Sequence, residues 1–366
     1  MKFTTLAVLL SASLLHAQPP ASAPEPSLRT QSTLVLVPAL VRNAAGTPVY
    51  TLKASDFRLT DDGVEQALTL DDNAGGEPLA LVIAVETGGA GSRKLDVYRG
   101  LGGLLSALVG AVTHQVAVVA FDSQPQTLLP LTPSIDAAAN VLGDLQPGDH
   151  GAAILDALSY SVYLLRRAPP GYRRAILLLS ETIDHGSRTR LKETLRSVSD
   201  TNTSIYALSF SSVKSFAGYQ AGEILHDDKP GPAHGCFAKD PNAEADEVST
   251  NRWMQIFACL GLLAPPLRAA RLAVLSTAYG LERSTSETVA RLTGGEYFAF
   301  KDTRSFMRGL YTLSNHLPNR YMLSFRPASP HLGFHSVQLR LIDYPSLRVS
   351  SRTGYWVDEE TEFSSP

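Results

Sequence analysis

Cysteine, charge and basic clusters are all scarce in this sequence of 366 residues. The two cysteines, Cys236 and Cys259, lack the close spacing that is typical of a zinc site, so they form either a disulfide or two buried thiols. Charged residues make up 18% of the chain, below the usual value of about 25%. The net charge of −3 offers no basic surface for nucleic acid or anionic lipid. Those partners are therefore disfavoured.

Sequence signatures of the common enzyme classes are also missing. The chain has no Gly-x-Ser-x-Gly elbow, no His-Glu-x-x-His pair, no phosphate loop and no Gly-x-Gly-x-x-Gly after a strand. Asp149, His150 and His185 could serve a hydrolase as acids or bases, but the sequence supplies no nucleophile beside them. We therefore predict a protein that is not an enzyme and that needs no cofactor.

The first 23 residues have the layout of a secretory signal peptide. Lys2 is followed by an apolar run over 6–15, and small residues allow cleavage after Ala17 or Ala23. The apolar run is too short to span a bilayer. The alternative is a buried N-terminal helix, which the proline-rich linker 24–31 would interrupt. The sequence thus predicts an exported protein, periplasmic or secreted, without a transmembrane segment after cleavage.

β-Strand patterns occupy both ends of the mature chain, at 32–77 and at 318–358, before a short tail at 359–366. Asp62-Gly63 predicts a hairpin between strands at 56–60 and 64–70. Because strands before and after a central block can pair, we predict a discontinuous β-sandwich.

The central block, 78–317, alternates short apolar runs with helical patterns. Four runs are typical of parallel strands that are covered on both faces: 79–85, 115–121, 174–180 and 204–210. Ser134 is a predicted cap for a helix at 135–142, and Ser284 with Glu287 for a later one. We therefore predict a doubly wound, mostly parallel α/β sheet inserted into the sandwich. An insertion at 211–266 interrupts this pattern, and its role is either packing on the sheet or binding a partner.

The order of these elements resembles a von Willebrand factor type A domain, and the flanks resemble the VWFA-related family described mainly from acidobacteria. The matches are the segments 34–42, 56–63 and 292–298, together with Arg352-Thr-Gly-Tyr355. The resemblance extends from about Leu34 to Tyr355. It implies a Rossmann-like core with a metal-ion-dependent adhesion site at the carboxyl ends of the strands.

That metal site is degenerate in this sequence. The family pattern has Asp-x-Ser-x-Ser in a first loop, a Thr in a second loop and an Asp in a third. The matching positions here are, in order, Glu86, Gly88, Ala90, Ala152 and Glu181. All hydroxyl ligands are missing, and Mg²⁺ requires tight octahedral geometry. The resemblance therefore predicts no typical metal site, with the two glutamates bonded to loop amides or helix N-termini instead.

The resulting hypothesis is a protein-binding module of the adhesion type that acts without a metal bridge. Its candidate contact face comprises Glu86, Thr87, Ser92, Asp149, His150, Glu181, Asp184 and His185. The first alternative is a divergent Mg²⁺ or Ca²⁺ site formed by Glu86, Glu181 and Asp184. The second alternative is a structural scaffold that assembles through edge strands. The sequence identifies neither the protein partner nor the oligomeric state.

Overall fold

A computed structural model describes residues 34–71, 76–211, 284–328 and 331–357. All of these lie in one compact unit, Thr33–Pro366. The predicted signal peptide, the linker, nearly all of the insertion, both cysteines and the tail lie outside the described residues. Within the described part, no helix has the length and apolar character needed to cross a membrane.

The described chain contains strands at its two ends and an alternation of strands and helices between them. The strands are β1 (Val35–Arg42), β2 (Phe57–Asp61), β3 (Val64–Gln66), β4 (Thr69–Leu70), β5 (Leu79–Glu86), β6 (His114–Phe121), β7 (Pro125–Thr132), β8 (Arg173–Glu181), β9 (Ser204–Phe210), β10 (Tyr297–Ala299), β11 (Tyr321–Phe325), β12 (Gly333–Leu341), β13 (Arg348–Ser351) and β14 (Gly354–Val357). The helices are α1 (Leu95–Arg99), α2 (Leu105–Val109), α3 (Ile135–Gly143), α4 (Ile154–Leu165), α5 (Leu191–Asp200), α6 (Thr285–Leu292) and α7 (Thr303–His316). Short 3-10 turns precede α1 and α2.

A six-stranded sheet forms the centre, in the order β10-β9-β8-β5-β6-β7. Its strands are parallel except for β7, which runs antiparallel to β6. Strand β5 is buried along its whole length. Leu81 and Ile83 of β5 point into one apolar cluster, and Val82 and Ala84 point into another. Helices therefore cover both faces, as predicted for a doubly wound sheet.

Two predicted helix caps are present. The Ser134 hydroxyl accepts a hydrogen bond from the Ala137 amide at 3.2 Å, and the Ser284 hydroxyl accepts one from the Glu287 amide at 3.2 Å. Each bond satisfies an amide in the first turn of α3 or α6. Glu287 itself turns outward and pairs with Arg291 one turn later.

The strands at the two ends of the chain pair with each other in two four-stranded antiparallel sheets. Their orders are β13-β1-β11-β4 and β14-β12-β2-β3. Val37 and Leu323 from the first sheet share an apolar cluster with Leu59 and Val337 from the second. The Asp62-Gly63 hairpin is confirmed: both residues have positive φ, 49° and 85°, as a two-residue hairpin turn requires.

Two sequence expectations are corrected here. The strand predicted at 64–70 is broken, because β3 pairs with β2 whereas β4 pairs with β11 in the other sheet. The chain passes from one sheet to the other at Ala67-Leu68. The alternating sequence pattern at 64–70 therefore covers two strands that lie in different sheets. In addition, β7 was not anticipated, since Pro125 and Pro130 interrupt its pattern.

Buried polar contacts connect the flanking strands to the central sheet and its helices. Arg352, just before β14, is 5% exposed. Its guanidinium donates to the Leu36 carbonyl at 3.1 Å, the Asn202 side chain at 3.1 Å and the Ser199 hydroxyl at 3.2 Å. A single side chain therefore links β1 to the end of α5.

Candidate functional site

The loops that follow β5, β6 and β8 meet the loop between α3 and α4 at the carboxyl edge of the central sheet, where doubly wound folds bind their ligands. Backbone hydrogen bonds join these loops directly. The Gly89 amide donates to the Asp149 carbonyl at 2.8 Å, and the Gly148 amide donates to the Thr87 carbonyl at 2.9 Å. Ala152 and His185 exchange two backbone bonds, at 3.1 and 2.9 Å. The candidate site is thus closed by its own main chain.

Glu86, at the first acidic position of the pattern, is completely buried. Its Oε1 accepts a hydrogen bond from the Gly91 amide at 2.8 Å, and its Oε2 accepts one from the Glu181 amide at 2.6 Å. Both oxygens of Glu86 therefore bind main-chain amides, one in the loop after β5 and one at the end of β8. Burial raises the pKa of Glu86 well above its usual value, and the nearby charge of Glu181 raises it further.

Glu181, at the last acidic position, is 6% exposed. Its Oε1 lies 3.5 Å from Nε2 of His185, four residues further along the chain. His185 is partly exposed and lies at the mouth of this closed region. Exposure therefore increases from Glu86 through Glu181 to His185, which reaches the solvent.

The residues at the hydroxyl positions of the metal pattern, Gly88, Ala90 and Ala152, have no side-chain oxygen. At Gly88, neighbouring atoms also occupy the space that a side chain would need. A Cβ atom on Gly88 would lie 2.2 Å from the Gly151 carbonyl oxygen and 2.6 Å from Cβ of Asp122. A serine in this conformation has no room there. Ala152 is buried and pairs through its backbone. The residues present therefore do not fit the hydroxyl and carboxylate coordination that the family pattern requires.

Asp149 organises the second loop. Its Oδ1 accepts hydrogen bonds from the amides of Ser123 at 3.0 Å and Gly151 at 2.8 Å, and its Oδ2 contacts the Ser123 hydroxyl. Burial raises the pKa of Asp149, but these hydrogen bonds outweigh it and hold the pKa below its usual range. Asp149 is therefore an ionised, structural carboxylate at the exposed rim.

Asp122 and Ser123 are site residues that the sequence prediction missed. The Oδ2 of Asp122 accepts from the Asp149 amide at 3.1 Å, and its Oδ1 accepts from the Gln124 amide at 3.0 Å. The Asp122 carbonyl also accepts from the Ala153 amide at 2.8 Å. An Asp-Ser pair directly after an apolar run is typical of a turn. This pattern was the signal in the sequence that could have indicated these two residues.

Asp184 and Ser187 serve the N-terminus of α4. The Leu155 amide donates to Oδ1 of Asp184 and to the Ser187 hydroxyl, both at 3.0 Å. Such bonds satisfy amides that have no partner inside the helix. In return, the Asp156 carboxylate of α4 accepts from the amides of Arg188 at 3.0 Å and Thr189 at 2.8 Å.

The predicted contact face is therefore smaller than the sequence suggested. Glu86, Thr87 and Glu181 are buried, with 0%, 4% and 6% exposure, and they contribute no contact surface. They point inward because they hold the loops together. The remaining residues lie at the surface: Asp149 and His150 are exposed, and Ser92, Asp184 and His185 are partly exposed.

No protein-family model matches this sequence, and no curated protein matches it. Among solved structures, an aerotolerance-related membrane protein from Bacteroides fragilis NCTC 9343, with multiple mutations to serines, is 16% identical at a TM-score of 0.37. That match covers 65% of this chain and 98% of that chain. The conserved hypothetical protein BatB from Bacteroides thetaiotaomicron is 14% identical at a TM-score of 0.34, over 64% of this chain and 98% of its own.

The SpRpn10 VWA domain is a further match, 12% identical at a TM-score of 0.29, over 38% of this chain and 78% of that chain. Likenesses at these values carry no argument about function. The assignment of a doubly wound α/β fold rests on the strand order and strand directions of the central sheet.

Proposed function

We propose that this chain is an exported, non-enzymatic protein-binding module of the von Willebrand A type that binds its partner without a metal bridge. The observation that supports it most is the state of Glu86, whose two carboxylate oxygens accept hydrogen bonds from the Gly91 and Glu181 amides. A carboxyl group engaged in this way has one acceptor site on each oxygen occupied by the protein's own main chain. The surface above it is then free to contact a protein directly.

In this proposal the two four-stranded sheets form a β-sandwich that carries the central sheet as an insertion. The apolar cluster shared by Val37, Leu59, Leu323 and Val337 supports that arrangement. Export, to the periplasm or the medium, rests on the signal-peptide pattern of the first 23 residues.

The contact surface in this proposal is the loop rim around His150, Arg188 and Gln124, all of which are exposed. The hydrogen bonds described above, which hold the loops together, do not involve these three side chains. The side chains can therefore be replaced without disturbing the loops. Asp149 is excluded as a probe, because it holds Ser123 and Gly151 in place.

Site-specific photocrosslinking tests the surface. A photoreactive amino acid at position 150 is expected to crosslink a discrete partner in cells that export the protein. The same amino acid at Arg166, exposed just beyond the far end of α4, is the matched control and should not. The triple variant His150→Ala, Arg188→Ala, Gln124→Ala should lose the partner in pulldowns. Equal crosslinking at both positions, or full retention by the triple variant, contradicts the proposal.

Thermal unfolding with added cations separates this proposal from the cation-dependent alternative. A cation that binds the native state raises the unfolding midpoint by mass action. We expect no change at millimolar Mg²⁺ or Ca²⁺, because Asp184, one of the three alternative ligands, already binds the Leu155 amide. A raised midpoint that Glu181→Gln abolishes would favour the divergent metal site.

A further inference from the structure

A second cluster of polar side chains lies far along the chain from the loop rim, where the β2–β3 hairpin meets the start of β12. It consists of Asp62, His331 and His335, and one potential ligand atom of each lies within 4.8 Å of the others. Nε2 of His331 is 3.0 Å from Oδ2 of Asp62, and Nδ1 of His335 is 3.1 Å from the same oxygen. Two imidazoles therefore converge on one carboxylate oxygen.

The hydrogen bonds around the cluster fix which nitrogens face inward. Nε2 of His335 lies 2.8 Å from the His331 carbonyl oxygen, and Nδ1 of His331 lies 3.2 Å from the Leu332 carbonyl oxygen. Because a carbonyl oxygen only accepts, these outer nitrogens carry the hydrogens. In each neutral ring the inner nitrogen then presents its lone pair to Asp62. Two lone pairs facing a carboxylate oxygen need a cation or additional protons between them.

The same arrangement is found around metal-bound histidines, where the second ring nitrogen donates to a carbonyl or carboxylate and so orients the ring. The carboxylate is positioned as well. Oδ1 of Asp62 accepts from the Ser336 amide at 2.9 Å, which leaves Oδ2 for the cluster. His335 is 1% exposed and stacks on Tyr355 at 4.7 Å between ring centroids. Asp62 and His335 are therefore held in place by the fold, whereas His331 lies at the surface.

We propose that Asp62, His331 and His335 bind a Zn²⁺ ion. Two imidazole nitrogens and one carboxylate oxygen suit zinc, whereas Mg²⁺ and Ca²⁺ prefer oxygen ligands alone. Neighbouring ligand atoms in a tetrahedral zinc site lie roughly 3.3 Å apart, given metal–ligand bonds of about 2.0–2.1 Å. Oδ2 of Asp62 is already close to this separation from both rings, at 3.0 and 3.1 Å. The two imidazoles stack at 3.9 Å between ring centroids, so the exposed His331 ring has to turn for both nitrogens to face one ion.

A fourth ligand position is open to solvent or to a second carboxylate. His331 and Asp62 have side-chain exposures of 57% and 38%, so water reaches the cluster from that side. Oδ1 of Asp61 lies 3.3 Å from Nδ1 of His335, while its Oδ2 accepts a hydrogen bond from the Tyr355 hydroxyl at 2.8 Å. The ion would connect the hairpin to a segment 269 positions later in the chain. Zinc binding therefore tightens the contact between the two ends of the described chain.

Titration calorimetry with Zn²⁺ on the full chain, free of any affinity tag and stripped of metal, tests this proposal. His331→Ala removes an exposed ligand, and Asp62→Asn keeps a residue that tolerates positive φ at the turn. Each variant is expected to weaken zinc binding by about tenfold or more, since loss even of an outer-shell partner costs that much. His150→Ala, an exposed histidine outside the cluster, is the control and should retain the wild-type affinity.

Two further readouts separate a built site from nonspecific binding. Zn²⁺ should raise the thermal midpoint of the wild-type chain and of His150→Ala but not of His331→Ala, and millimolar Mg²⁺ should not compete. Co²⁺ bound in place of Zn²⁺ should show the visible absorption of a tetrahedral ion. Wild-type zinc affinity in both ligand variants, or a wild-type chain that takes up no zinc, overturns the proposal. Neither outcome touches the proposed loop surface, because the two sites share no residue.

Discussion

At the scale of single residues, Gly88 shows how the loops of the candidate site have closed. Because a Cβ atom there would lie 2.2 Å from the Gly151 carbonyl oxygen, a serine cannot be placed at this position without moving the main chain. Gly88→Ser is expected to lower the free energy of unfolding by about 3 kcal/mol or more, as overpacking does. Urea denaturation measures it.

Gly103→Ser is the matched control for that substitution. A Cβ atom on Gly103 meets nothing within 4 Å, so the change should stay within about 0.5 kcal/mol. If both serine variants unfold at the same urea concentration as the wild type, the close packing of Gly88 against Gly151 is contradicted.

The buried Glu86 predicts a specific dependence of stability on pH. Its folded-state pKa is raised above the unfolded value by burial and then by Glu181. Its stabilising contribution is therefore complete at pH values below the unfolded pKa, and it is lost as pH rises through the folded pKa.

Glu181→Gln should reduce this loss, because it removes the neighbouring negative charge. Between pH 5 and pH 8, the stability of the variant is expected to fall less steeply than that of the wild type, because the pKa of Glu86 is then raised by burial alone. Urea titrations at several pH values measure the two slopes. The exposed Glu65→Gln should follow the wild type. If stability depends on pH in the same way for Glu181→Gln and the wild type, the two glutamates are not electrostatically coupled.

At the scale of elements, Glu296 connects the start of β10 to the end of α7 and to the approach to β11. Its Oε2 pairs with Arg320 at 2.9 Å and its Oε1 with His316 at 3.0 Å, and all three side chains are buried. Burial raises the pKa of Glu296, but the His316 hydrogen bond and the Arg320 charge outweigh it, so the pKa is lowered.

Glu296→Gln is therefore expected to destabilise the protein by about 3–5 kcal/mol near neutral pH, because it leaves the buried Arg320 charge without its partner. Since the pKa of Glu296 is depressed, its contribution is present above the unfolded pKa and is lost as pH falls. The gap between variant and wild type should narrow under acid conditions. Glu287→Gln, in a surface pair with Arg291, should cost about 0.5 kcal/mol or less. Equal losses for the two variants would contradict this account.

The strands show what the sequence could and could not predict. β5, β6, β8 and β9 were located because each is a continuous apolar run, a pattern set by burial on both faces. β7 alternates in exposure and contains two prolines, so its local pattern indicates a loop. The break between β3 and β4 depends on which strand pairs with each of them, and the local sequence pattern does not contain that information.

The site was predictable to the same degree. The match of Glu86, Gly88, Ala90, Ala152 and Glu181 to a metal pattern is a prediction from the order of residues within each loop. The closure of the site by Asp122 and Ser123 does not follow from that order, because these residues pair with Asp149 from 27 and 26 positions away. Burial of Glu86 and Glu181 likewise depends on how three loops meet. Sequence reasoning identified the positions, and only the fold reveals which of them face solvent.

At the scale of the whole molecule, the flanking sheets and the central α/β part are expected to unfold together. Trp356 of β14 lies 4.8 Å from the cationic ends of both Lys192 and Arg196 on α5, and its amide donates to the Ser199 hydroxyl at 3.0 Å. Its fluorescence therefore reports on the boundary between the two parts.

The variant Trp253→Phe leaves Trp356 as the single tryptophan, since the chain has two. Its fluorescence transition in urea should coincide with the far-ultraviolet circular dichroism transition, as two-state unfolding requires. Arg352→Met, which removes the link between β1 and α5, should lower the common midpoint. A fluorescence change that precedes the loss of circular dichroism would show instead that the flanks separate first.

The prolines of β7 bear on how copies of this protein can assemble. An exposed sheet edge is a template on which a strand from another molecule can add, and proteins blunt such edges with proline. Pro125 and Pro130 have no amide hydrogen to donate, and they occupy the outermost strand of the six-stranded sheet. Growth of that sheet from one molecule to the next is disfavoured at this edge. A filament or aggregate built by continuous strand addition would have to begin elsewhere on the molecule.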